Sequence, residues 1–249
     1  MKIKSILVLI TGFLVSYNAL AQEKLIQLED IWASRTFSPE WVWGINSMND
    51  GVHYSSLNYG EENVYVTEYS YETGDSVATI VDSKNLEGIS FDAYQFSANE
   101  QKVLLPTETE SIYRHSTRSK FYVYDRATKT STALSTDKQR LAKFSPDATK
   151  VAFVRANNIF IKDLNSTIET QITNDGEPNK IINGATDWVY EEEFAFDNGF
   201  QWNATGTKIA FYRFNEEAVP EFSMDEFTDL YPSQNKFKYP KAGEANSTV

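Results

Sequence analysis

The sequence predicts an all-β protein: part of a β-propeller, with about three to four four-stranded blades of a larger ring. Three observations carry that expectation. Short runs of two-residue alternation, bounded by turn residues, dominate the chain, as half-buried antiparallel strands require. They include Trp41-Val42-Trp43, Val64-Tyr65-Val66-Thr67, Phe121-Tyr122-Val123-Tyr124, Val151-Ala152-Phe153-Val154 and Ile209-Ala210-Phe211-Tyr212, rich in the β-branched and aromatic side chains that suit a pleated surface. Helical periodicity of useful length is hard to find. Finally, one unit occurs three times, as Phe96-Ser97-Ala98-Asn99-Glu100-Gln101-Lys102-Val103-Leu104-Leu105, Phe144-Ser145-Pro146-Asp147-Ala148-Thr149-Lys150-Val151-Ala152-Phe153 and Trp202-Asn203-Ala204-Thr205-Gly206-Thr207-Lys208-Ile209-Ala210-Phe211.

Each copy reads as an aromatic strand end, a polar turn, a lysine and a new apolar strand. A second pair of strands follows the first two copies, at Phe121–Asp125 and at Ile159–Asp163 running on to Gln171-Ile172-Thr173. The copies start at 96, 144 and 202, spaced by 48 and 58 residues, near the roughly 40 to 50 of a four-stranded blade with loop insertions. Residues from about Trp41 to Ile80 form an earlier, more divergent blade. The competing architecture is a β-sandwich whose turns happen to look alike. Ring closure removes exposed sheet edges, and three to four blades are too few to close comfortably. The chain, running to Ser247-Thr248-Val249, is therefore expected to belong to something longer.

Residues 1–21 have the pattern of a secretory signal. Lys2 and Lys4 make a positive start, Ile6 to Val15 an apolar stretch, and Ala19-Leu20-Ala21 a small-x-small cleavage site. A membrane anchor is the alternative, but the apolar stretch is well short of the roughly 20 residues that span a bilayer. Cleavage would deepen the formal charge from −12 to −14. An export signal in a chain without cysteine suggests the periplasm or the cell exterior, with no membrane contact after processing. The acidic balance argues against nucleic acid as a partner, because basic side chains supply most affinity for phosphate backbones. Zero cysteine excludes disulfides, thiolate zinc sites and a cysteine nucleophile.

Familiar catalytic constellations are missing. There is no His-Glu-x-x-His, no glycine-rich phosphate loop and no calcium-loop spacing, and two histidines, His53 and His115, cannot alone make a three-ligand metal site. No metal or cofactor is expected. Gly74-Asp75-Ser76-Val77-Ala78 approaches the nucleophile-elbow pattern but lacks its last glycine and lies between two strand runs, where a hairpin turn explains it. Three Asn-x-Ser/Thr triplets are assigned no role.

One stretch breaks the strand pattern: Asp187-Trp188-Val189-Tyr190-Glu191-Glu192-Glu193-Phe194, inside the insertion that lengthens the third repeat. A helix turns about 100° per residue, so on a short helical turn two neighbouring carboxylates can converge while the third diverges. Such a pair would receive a cation. A peptide α-ammonium, with a reference pKa near 8 and three donors, is one. A solvated acidic turn is the plainer explanation.

The heptad Asp187–Glu193 resembles the double-glutamate motif of the dipeptidyl peptidase IV family of prolyl oligopeptidase-type serine exopeptidases. Tyr113-Arg114-His115-Ser116, followed by Phe121–Asp125, is similar to the family's arginine loop. Asn183-Gly184-Ala185-Thr186, Arg213-Phe214-Asn215 with Val219-Pro220, and Tyr239-Pro240-Lys241-Ala242-Gly243 match its flanking segments. The likeness covers about residues 90 to 249, and more weakly back to Trp32. It implies an eight-bladed propeller capping an α/β-hydrolase domain that would lie beyond residue 249. Residues 22–35 would be a lead-in and 36–249 the first part of the propeller. It also implies that Glu192 and Glu193 hold the free amino terminus of a peptide, that Arg114 bonds a substrate carbonyl, and that a Ser-Asp-His triad outside this chain cleaves after residue two, proline or alanine. This stretch alone would be inactive. Homodimerisation of the full-length protein stays open, as does release of tripeptides. A non-catalytic propeller that binds peptides or proteins is the alternative function.

Overall fold

The computed structural model describes residues 25–39 and 44–249. The expected signal segment and the run Trp41-Val42-Trp43 lie outside the described residues. The chain divides into two units, Met1–Val42 and Trp43–Val249. In the first, the short helix α1 (Leu28–Trp32) starts at Gln27, whose backbone N–H donates to Asp30 Oδ2 at 3.0 Å.

The second unit is built of antiparallel meanders. Blade one is β1 (Asn46–Ser47), β2 (His53–Tyr59), β3 (Val64–Ser70) and β4 (Ser76–Asp82). Blade two is β5 (Gln95–Phe96), β6 (Lys102–Ser111), β7 (Thr117–Asp125) and β8 (Thr130–Ala133). Blade three is β9 (Arg140–Phe144), β10 (Lys150–Arg155), β11 (Asn158–Asp163) and β12 (Glu169–Gln171). In each, strands pair in sequence order. Gly74, at φ 75°, sits in the β3–β4 connection, so the glycine–aspartate–serine stretch is a hairpin turn. Blade four contains β13 (Ile181–Asn183), β14 (Phe200–Trp202), β15 (Ile209–Phe211) and β16 (Arg213–Asn215), with β14 paired to β15 and β13 to β16. Beyond it, β17 (Glu221–Glu226) and β18 (Ser233–Lys238) form a separate hairpin. The partial propeller expected from the repeats is what the chain forms.

The repeated unit is one turn with one hydrogen-bond plan. Ser97 N–H donates to Lys102 O, Ser145 N–H to Lys150 O and Asn203 N–H to Lys208 O, at 2.8–3.0 Å. The first side chain of each turn returns a bond to the lysine amide: Lys102 N to Ser97 Oγ, Lys150 N to Ser145 Oγ, Lys208 N to Asn203 Oδ1. The fifth position of each copy is left-handed: Glu100 (φ 56°), Ala148 (φ 56°) and Gly206 (φ 65°). Of these three copies the third uses glycine, which carries no penalty there. The β1–β2 turn is a fourth copy that the sequence pattern hides. Met48 N–H donates to His53 O at 3.0 Å, Gly51 is at φ 73°, and Asp50 Oδ1 accepts from the amides of Val52 and His53.

Alternation along the strands builds the core between blades, because successive side chains point to opposite faces. On β6, Val103 and Leu105 join Val66, Val81 and Phe91 of the blade-one side, while Leu104 joins Phe144, Phe153 and Phe160 of blade three. On β10, Val151 and Phe153 face blade two, and Ala152 and Val154 face Phe200, Trp202 and Phe214 of blade four. With both faces covered, β10 reads as a continuous apolar run. Trp202 Nε1 donates to Lys143 O at 3.3 Å, a polar link across the last of these joints.

Candidate amino-terminus site

Between β13 and the glutamates the backbone makes a close turn. Gly184 is at φ 75°, and a Cβ there would stand 2.8 Å from Ile159 Cγ1, so only glycine lets this segment lie on blade three. Its N–H donates to Tyr212 O, Tyr212 N–H to Gly199 O and Gly199 N–H to Gly184 O. This junction switches one long strand from pairing with β14 to pairing with β13. It also sets the start of helix α2 (Trp188–Phe194). Asp187 caps it, Oδ1 accepting from Tyr190 N–H at 3.0 Å, and Ser247 Oγ donates to the other carboxylate oxygen. Ala195, left-handed at φ 49°, ends it. Tyr190 pins the helix to the core, edge-on to Phe214 at 4.8 Å.

A single turn of helix spreads three adjacent carboxylates widely. Glu191 points inward and is fully buried, and its Oε1 accepts from the backbone N–H groups of His115 (2.8 Å) and Ser116 (2.7 Å). Glu192 meets Arg114, Oε2 lying 3.2 Å from Nε; the glutamate side chain is 12% exposed and the arginine 73%. Glu193 is exposed. The structure thus brings Arg114 and Glu192 together and leaves Glu193 outside the lining of the cleft they share.

That cleft, of about 620 Å³, has Arg114 and Glu192 beside Trp188, with Phe222, Phe237 and Tyr239 from the β17–β18 hairpin and the residue after it. Trp188 and Tyr239 stand 4.6 Å apart, and Tyr113 lies 6.1 Å from Phe237. A carboxylate half-sheltered among aromatic faces suits a cation, through charge-assisted hydrogen bonds and the negative ring faces. Arg114 occupies one side of Glu192 and faces solvent with the rest of its fork, which can donate to a carbonyl.

Glu191, Trp188 and Tyr239 lie in stretches that the sequence singled out but were given no role there, and Phe222 and Phe237 were not singled out. His115 contributes its backbone amide to Glu191, in keeping with a structural part. Asp50, His53 and Glu68 come within 4.8 Å of one another. This group is accounted for by the hairpin itself: His53 Nδ1 lies 2.6 Å from Asp50 Oδ2, which holds the aspartate at about 2 and raises the histidine.

Behind the helix start, Glu216 is buried, and burial first, then the charge of Asp187, push its carboxyl up to about 7, with Lys238 opposing. The folded protein therefore keeps a proton that an unfolded chain releases above about 4.5. Stability falls as pH rises from there, and the deficit is complete above neutrality. Glu216→Gln is expected to stabilise the full-length protein by about 1–3 kcal/mol at pH 8, with the gain vanishing toward pH 4.5. Thermal unfolding at the two pH values measures it, and an unchanged midpoint at pH 8 would contradict it.

A blade-built chain whose acidic helix and arginine loop meet at an aromatic cleft is a propeller segment with a candidate binding site. The dipeptidyl peptidase IV N-terminal region matches residues 97–249, and the chain belongs to that family. It is 41% identical to the crystal structure of Porphyromonas gingivalis dipeptidyl peptidase 4, with a TM-score of 0.81, over 91% of this chain and 33% of that one. A probable dipeptidyl-aminopeptidase B of Sclerotinia sclerotiorum is 31% identical over 88% of this chain and 26% of its own length. A Chaetomium globosum protein of the same description is 36% identical over 61% of this chain and 18% of its own. The chain thus spans about a quarter of the length of the first of these relatives.

Proposed function

We propose that this chain is the N-terminal propeller part of an exported serine dipeptidyl peptidase that removes Xaa-Pro or Xaa-Ala dipeptides. In this reading it anchors the peptide's free amino terminus. The observation that carries the reading is the 3.2 Å pairing of Arg114 with Glu192 at an aromatic-walled cleft, in a chain of the dipeptidyl peptidase IV family. Glu192 takes the ammonium, and Glu193, one step further round the same helix, supplies the second carboxylate from the rim. Arg114 donates to a substrate carbonyl. Cleavage belongs to a hydrolase domain outside this chain, and the distance from anchor to nucleophile sets the cut after residue two, an effect of positioning. The signal pattern at residues 1–21 supports export to the periplasm or beyond.

The test offers the full-length protein a glycyl-prolyl chromogenic substrate with a free and with an acetylated amino terminus. The free peptide is expected to be cut at least about 100-fold faster, since an ammonium buried against carboxylates is worth several kcal/mol. Equal rates would refute the anchoring role.

A further inference from the structure

Glu191 lies between the two halves of the site without reaching the cleft. Its side chain is 0% exposed, yet it spans 75 and 76 positions of sequence to hold two consecutive amides, Ser116 N–H and His115 N–H, on one oxygen. Those amides belong to the five-residue connection between β6 and β7, closed at its base by Ile112 N–H donating to Ser116 O at 2.8 Å. Arg114 is the apex of that connection and immediately precedes the two held amides. Glu192, its partner, immediately follows Glu191 on the helix. One buried carboxylate therefore bolts the arginine loop to the glutamate helix, a bond away from both members of the pair on the cleft.

Buried carboxylates are costly unless hydrogen-bonded or paired. Glu191 Oε2 has no hydrogen-bond partner among the described residues, nor have Nε and Nη2 of Arg140. Burial lowers the pKa of Arg140, opposed by the charge of Glu191 first, then by Asp197 and Tyr113. The carboxylate thus uses one oxygen for the loop amides, while its other oxygen and two nitrogens of Arg140 lie buried without hydrogen-bond partners among the described residues. Neutral glutamine keeps the shape but weakens both bonds, because charge-assisted hydrogen bonds are about twice as strong as neutral ones.

We infer that Glu191 is a positioning residue, the buried bracket that sets Arg114 against Glu192, and that it does so without touching substrate. This rests on the reading that Arg114 and Glu192 grip the peptide terminus. The test uses the full-length protein and two variants, Glu191→Gln and Glu191→Ala, with hydrogen exchange at the amides of 115 and 116 as the direct readout. Active sites are counted with a phosphonate that reacts with the nucleophilic serine, so that misfolded protein is excluded from the rate. Exchange at 115 and 116 is expected to quicken at least about tenfold in Glu191→Gln while the rest of the propeller stays protected. Turnover of a free-amino dipeptide substrate per active site should fall about 10- to 100-fold in Glu191→Ala, and less in Glu191→Gln. Unchanged exchange at 115 and 116 in Glu191→Gln would overturn the inference, whatever the activity. Quickened exchange with full turnover per active site would overturn it too, by showing a bracket without consequence for the site. Glu192→Ala separates the two claims: if it is fully active, the anchoring reading fails, while the exchange data still judge the bracket.

Discussion

Replacing Glu192 by alanine in the full-length protein is expected to lower kcat/KM on a free-amino dipeptide substrate by about 100- to 1,000-fold, because unpairing a buried charge costs roughly 3–5 kcal/mol. The size of the effect follows from shelter. Glu192 is the acidic side chain of the helix that both lines the cleft and pairs with Arg114, with 12% of its side chain exposed. An exposed pair would be screened and worth at most about 1 kcal/mol. Glu193, exposed in this chain, is expected to cost about tenfold or more when replaced, because an ammonium has three donors and one carboxylate already shared with arginine cannot satisfy them. Steady-state kinetics on purified variants, normalised to active sites, gives both values. A loss below threefold for Glu192→Ala would remove the ground for the assignment.

The second large effect concerns stability. Phe153→Ala is expected to cost about 3–5 kcal/mol, the range for emptying a buried aromatic position. Phe153 is 0% exposed on β10 and belongs to the cluster that joins blades two and three, with Leu104, Val123 and Phe144. It stacks on Phe160 at 5.7 Å and 8°, and the Arg155 guanidinium lies 4.1 Å from the Phe160 ring. Truncation removes the ring that stacks on Phe160 and that lies 5.8 Å from the Arg155 guanidinium, at a joint whose backbone is fixed by six cross-strand pairs with β11. Urea unfolding of the variant measures the loss; a change under 1 kcal/mol would show that the joint can collapse around the gap.

How much of this was readable in advance depends on which interactions are local. The blade turns were legible because their bonds run between residues five apart, and the types that make them, serine or asparagine at the start, a polar residue two positions on and lysine at the end, recur in the same order. The copy at Met48–His53 escaped because its backbone plan is the same while its side chains differ: Ser47 stands where the others have an aromatic, His53 where they have lysine, and Asp50 supplies the capping oxygen. Ile209–Tyr212 read as one strand, yet pairing changes partner at Tyr212, since that change depends on Gly184 and Gly199 from elsewhere in the blade. The helical turn within Asp187–Phe194 could be read from its broken alternation. Which of three adjacent glutamates would be buried could not, because that is set by where the helix lands on a loop some 75 residues earlier. The part of the aromatic wall made by Phe222 and Phe237 was invisible for the same reason, being carried by a hairpin that pairs Glu221 with Lys238.

The grip of the glutamate helix on a charged peptide end is tested most directly by a cycle of four rates: free and acetylated peptide, each with wild-type and Glu192→Ala full-length protein. The account predicts that the wild type prefers the free peptide by at least about 100-fold and that most of this preference vanishes in the variant, because the group that reads the charge is gone. Preference for the free peptide persisting undiminished in Glu192→Ala would place the recognition of the amino terminus elsewhere and contradict the account.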